Sequence, residues 1–102
     1  MPDFRTYVDN TIEILIDCEL DQALTDPANL TVSVADSAGT KTVYVYGTDD
    51  EIEKLSQGRY KFFLETDREG NWKVKVKMWG GPYRQAATKD YIVTVEKTVF
   101  TE

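Results

Sequence analysis

The stretch GRYKFFLETDREGNWKVKVKMW, residues 58–79, decides how this chain is read. Tyr60, Phe62 and Leu64 alternate with polar neighbours on its first arm; Trp72, Val74, Val76 and Met78 do so on its second. Period-two alternation of this length is the mark of strands buried on one face. Each arm opens with a glycine two residues before a large ring, Gly58-Arg59-Tyr60 and Gly70-Asn71-Trp72. An acidic, Gly-containing turn joins them, so the stretch reads as a β-hairpin whose rings point into a core.

Working outward, Ile12, Ile14, Ile16, Cys18 and Leu20 alternate on an upstream strand, with Leu15 on its polar side. Phe4, Tyr7 and Val8 offer a first edge strand, and DQALTDPAN (21–29) reads as a loop with room for one helical turn at Pro27. Residues 30–36 place Leu30, Val32 and Val34 inward. In KTVYVYG the face is open, because Val43 and Val45 compete with Tyr44 and Tyr46. Thr48-Asp49-Asp50-Glu51 has capping-box spacing, with Ile52 and Leu55 three apart and Gly58 as a stop, which predicts a short helical turn over 49–56. GGPYRQAAT (80–88) reads as a loop, and KDYIVTVE as the last strand with Tyr91, Val93 and Val95 inward. The tail KTVFTE is expected to trail or to clip onto an edge. About seven strands with turns every ~8–12 residues predict an all-β, antiparallel, immunoglobulin-like sandwich. Trp72 is expected to fill the space between its sheets; a closed barrel, the alternative, calls for more even strands.

The 102 residues suffice for a single domain, 1–102, with one core. One cysteine allows no internal disulfide. A net charge of −6 opposes nucleic acid and anionic membrane as partners. With no histidine, the commonest general base and a common zinc ligand are missing. Neither a catalytic triad nor a zinc site can be composed, and Cys18 has inward parity, so a buried structural thiol is expected. Asp49-Asp50-Glu51 with Glu53, and Asp67, Glu69 and Asn71, are acid clusters better explained by a helix start and by turn chemistry than by calcium. MPDFRTYVDN contains no apolar run, so neither a signal peptide nor a membrane span is expected, and synthesis in the cytoplasm is. The sequon at Asn29 carries no weight without a secretion signal.

Taken together, DPANLTVSVADSAGTKTVYVYGTDDEI, then GRYKFFLETDREGNWKVKVKMW, then QAATKDYIVTV resemble a family of small Ig-like proteins found among tailed bacteriophages and prophages. The resemblance spans roughly two thirds of the chain. It departs from the family in the lysine-rich segment 73–77 and beyond Val95. What it implies is a non-enzymatic accessory protein of the virion, on the head surface or the head-to-tail neck, with no catalytic residues and no cofactor. Its partners would be other virion proteins (capsid, portal, connector or neck) or further copies of itself.

The candidate contact residues are read from parity. Lys73, Lys75 and Lys77 form one outward stripe, suited to an acidic partner or to plain solvation. Leu15, Phe63 and Trp79 are apolar residues on outward parity; Leu15 and Phe63 are expected to meet on one outer face, and the lysines to run between Phe63 and Trp79. Tyr83 and Arg84 are expected at the exposed tip of the 80–88 loop. The alternative function is a glycan-binding or adhesive module in which Trp79, Tyr83 and other exposed aromatics stack on sugars.

Overall fold

The computed structural model describes residues 3–96, and all of their regular structure is β, with no helix. β1 (Asp3–Tyr7) lies along an edge, parallel to the last strand, β10 (Tyr83–Glu96). β2 (Asn10–Asp17) leads to a small hairpin of β3 (Glu19–Leu20) and β4 (Ala23–Leu24). Next come β5 (Asn29–Ala35), β6 (Lys41–Val45), β7 (Ile52–Ser56), β8 (Arg59–Thr66) and β9 (Gly70–Gly80). One sheet has five strands in the order β1-β10-β9-β5-β6, and the other three in the order β2-β8-β7.

Alternation is what makes these strands. On β8, Tyr60, Phe62 and Leu64 are buried; on β9, Trp72, Val74, Val76 and Met78. Together with Ile14 and Ile16 of β2, Leu30, Val32 and Val34 of β5, and Tyr91, Val93 and Val95 of β10, they form one continuous buried cluster. Residues of both sheets share this cluster, so the sheets lie face to face across it.

The 58–79 stretch is therefore not a hairpin. β8 pairs with β2 and β7, β9 pairs with β10 and β5, and the turn between them carries the chain from one sheet to the other. Alternation reports which face is buried but not the hydrogen-bonding neighbour, and the two apolar rows meet across the core instead of side by side. The turn is held where Ser37 Oγ donates to the Glu69 carbonyl at 2.6 Å. Trp72 is buried as expected, but its indole N–H donates to the Arg68 carbonyl at 2.9 Å, which ties it to this turn. Phe62, with no exposed surface, is the largest fully buried side chain.

The helical turn expected over 49–56 is a turn followed by a strand. The Asp49 carboxylate accepts from the Val45 N–H at 2.8 Å, and the N–H groups of Thr48 and Asp49 donate to the Val45 carbonyl. Asp49, an acid expected in the first turn of a helix, thus bonds backward to β6, and Ile52–Ser56 pairs with β8. Likewise, no helical turn begins at Pro27. The loop expected over 80–88 shrinks to a turn at Gly81-Pro82. Gly80 (φ +82°) and Gly81 (φ +60°) make that turn, and Tyr83 already pairs with Gly80. The following residues lack Gly and Pro, so β10 runs on through one irregularity between Tyr83 and Ala87. In β6 the aromatic residue wins the inward place: Tyr44 packs 5.1 Å from Phe62, leaving Val43 and Val45 exposed. The expected tail contact of KTVFTE lies outside the described residues.

Candidate interaction surface

The outer face of the five-stranded sheet is laid out by register. Lys73 stands between Ala35 and Ile92, Lys75 between Ser33 and Asp90, and Lys77 between Thr31 and Thr88. One strand further out, Lys41, Val43 and Val45 lie opposite Ala35, Ser33 and Thr31. The stripe of small residues on β5 lets a shallow trough of about 570 Å³ form between the lysines and Val43. Val43 is 57% and Val45 41% exposed, so the face is apolar as well as basic. The ion pairs among the described residues are Arg5–Glu96, Lys54–Asp26, Arg59–Asp17 and Lys61–Glu13, none of which occupies Lys41, Lys73, Lys75 or Lys77. Lys77 instead lies over the half-buried Trp79, its Nζ 5.3 Å from the ring centroid.

The other outer face belongs to β2-β8-β7. Leu15, 64% exposed, pairs with Lys61, and Phe63 pairs with Glu13, so Leu15 and Phe63 are diagonal neighbours. Lys61 fills the diagonal: its Nζ is 3.6 Å from Glu13 Oε1 and 4.8 Å from the Phe63 ring centroid. Phe63 is half-buried beneath it, so Leu15 stands exposed on a largely carboxylate surface completed by Glu53 and Glu65, and Leu55 of β7 is exposed in the same sheet. Two expectations need correction here. Phe63 and Trp79 do not flank one lysine surface, because their strands belong to different sheets. Tyr83 is not at an exposed tip: it is 5% exposed, and its hydroxyl donates to the Thr25 carbonyl at 3.0 Å. Arg84 is exposed beside it. Of the two aromatics named for sugar stacking, Tyr83 is thus buried and Trp79 half-covered.

Between the sheets a cleft of about 490 Å³ opens near Tyr44, Leu64 and Trp72, ringed by the carboxylates of Asp36, Glu51, Glu65 and Asp67. Desolvation pushes the Tyr44 hydroxyl pKa up, and Glu51, Asp49 and Glu65 add to the shift. Burial pushes the Cys18 thiol up to about 11, against a smaller opposing pull from Lys89, so Cys18 is a packed, protonated thiol at neutral pH.

No protein-family model matches the sequence, and no curated protein matches it. Among solved structures, a candidate glycoside hydrolase from Bacteroides vulgatus ATCC 8482 superposes with a TM-score of 0.55 at 9% identity, over 93% of this chain and 17% of that one. The likeness is one of fold. The chain thus spans less than a fifth of that protein's length. CD84, a SLAM-family protein, covers 96% of this chain and 99% of its own at 13% identity, but its TM-score of 0.44 is too low for a shared topology to be inferred. No helix among the described residues is long and apolar enough to cross a membrane, and no group of three or more of their Cys, Asp and Glu residues is placed to hold a metal ion.

One node was not legible in the sequence. Asp26, in the segment read as a plain loop, accepts from the Gly58 N–H at 2.7 Å and the Tyr60 hydroxyl at 3.4 Å through Oδ1, and from Lys54 Nζ at 2.7 Å through Oδ2. The Lys54 hydrogen bond, then that from Gly58, holds its carboxyl below the usual carboxylate range. A carboxyl depressed by folding contributes stability that is present above its unfolded pKa and fades as pH falls through the folded one. Asp26→Asn is therefore expected to melt below wild type at neutral pH, with the gap closing as pH falls below the usual carboxylate range. Thermal unfolding of both proteins across pH checks this; a gap independent of pH contradicts it.

Proposed function

We propose that this chain is a non-enzymatic structural component of a tailed phage virion, an immunoglobulin-like domain that binds neighbouring virion proteins on the head or neck through its outer sheet faces. The strand order supports the domain type: β2-β8-β7 against β10-β9-β5-β6 corresponds to strands B-E-D against G-F-C-C′ of such sandwiches. The resemblance described above supplies the virion setting. The observation that carries the binding role is the lysine face. Lys41, Lys73, Lys75 and Lys77 stand on one sheet surface of a protein of net charge −6, without ion-pair partners among the described residues and beside exposed Val43 and Val45. Flat, mixed apolar and charged sheet faces suit protein partners.

Electron microscopy of purified tailed particles from the source, with the chain labelled, tests the reading. Label at regular positions on the head or neck is the expected result; particles devoid of the chain contradict it.

A further inference from the structure

We infer that the chain associates with itself head to tail, the lysine-bearing outer face of one copy lying on the carboxylate-bearing outer face of the next. The two faces are back to back on the sandwich and opposite in charge. Among the described residues, Lys41, Lys73, Lys75 and Lys77 share their face with the carboxylates of Asp90 and Glu96, and Glu96 is held by Arg5. On the outward parity of β2-β8-β7, the carboxylates Glu13, Asp17, Glu53 and Glu65 outnumber the cations Arg59 and Lys61, which are already held by Asp17 and Glu13; Lys54 of β7, level with the inward Tyr60, is held by Asp26. Glu53 and Glu65 have no ion-pair partner among the described residues.

Each face also carries exposed apolar surface at the contact. Val43 and Val45 border the lysines, and Leu15, 64% exposed, stands among the carboxylates. Docked face to back, lysines meet carboxylates and valines meet leucine. Two lysine faces set against each other would instead oppose like charges, which disfavours a two-fold pairing. The molecule measures 49 × 26 × 24 Å, so a broad face offers more than the ~800 Å² per partner that a stable interface uses. Because each copy has one face of each kind, the contact is heterologous and continues from copy to copy as a ring or filament.

The inference rests on the outer-face reading above but needs no virion, so the purified chain tests it separately. Absence of the chain from particles would leave self-association standing, and a monomeric chain would leave a role in particles standing. Sedimentation velocity of the wild-type chain at about 0.5 mM is expected to show species larger than a monomer at about 0.05 M salt, with association at least about tenfold weaker at about 0.5 M salt. Two variants locate the faces: Lys73→Glu/Lys75→Glu/Lys77→Glu, and Glu53→Lys/Glu65→Lys. Each alone is expected to be monomeric with an unchanged circular dichroism spectrum. Their equimolar mixture is expected to associate, because each supplies the face the other lacks. Wild type that stays monomeric at low salt overturns the inference, as does a mixture that fails to associate while both variants are folded.

Discussion

Gly58→Ala is expected to lower stability by about 2–5 kcal/mol, enough to threaten folding at physiological temperature. Two effects combine at this buried position. The backbone sits at φ +72°, where an L side chain costs about 1–2 kcal/mol. An added Cβ would also lie 2.7 Å from the Thr25 nitrogen, 2.8 Å from Leu24 Cβ and 2.9 Å from the Cys18 carbonyl oxygen. Two of these are backbone atoms that cannot swing aside, so overpacking adds about 1–3 kcal/mol. The site is fixed from both sides, since the Gly58 N–H donates to Asp26 and its carbonyl accepts from the Cys18 N–H at 2.7 Å. A domain of this size has only about 5–15 kcal/mol to lose, and the loss corresponds to roughly 10–30 °C in melting temperature. Gly39→Ala separates the two effects, because Gly39 has φ +89° but nothing within 4 Å of its added Cβ. Thermal unfolding by circular dichroism should show Gly58→Ala falling well below Gly39→Ala. Equal shifts would mean that backbone strain alone matters and that the close approach of the β3-β4 segment does not.

That glycine also shows where sequence reading stops. Gly58 was legible as a turn before Tyr60, but its contacts with Cys18, Leu24 and Asp26 are made by residues more than thirty positions upstream, and no local pattern announces them. Alternation, by contrast, is local, and the inward rows of β2, β5, β8, β9 and the end of β10 follow it residue by residue. Where two local patterns compete, the core decides: Tyr44 turns inward because Phe62 stands across from it. Capping-box spacing at 48–51 failed for a related reason, as the Asp49 carboxylate found the Val45 N–H behind it.

The candidate surface divides along the same line. The lysine stripe was legible, because period two puts Lys73, Lys75 and Lys77 on one side of β9 wherever β9 lies. Its neighbours were not, because they depend on which strands pair. Phe63 was expected beside the stripe, yet the chain changes sheets between β8 and β9, so the outward sides of the two strands look away from each other. Val43, Val45 and the small residues of β5 take that place.

The lysine face is thus where the account of function stands. Replacing Lys73, Lys75 and Lys77 with glutamate reverses the sign of the stripe while leaving the buried Val74, Val76 and Met78 untouched. Exposed substitutions of this kind shift stability little, but like charges set across an interface cost several kcal/mol, more than a tenfold change in binding. The deciding measurement is the amount of this triple variant, relative to wild type, in purified tailed particles, with melting temperature as the control on folding. The account predicts at least about a tenfold loss from particles with the melting temperature nearly unchanged. A folded variant that enters particles at the wild-type level would contradict it.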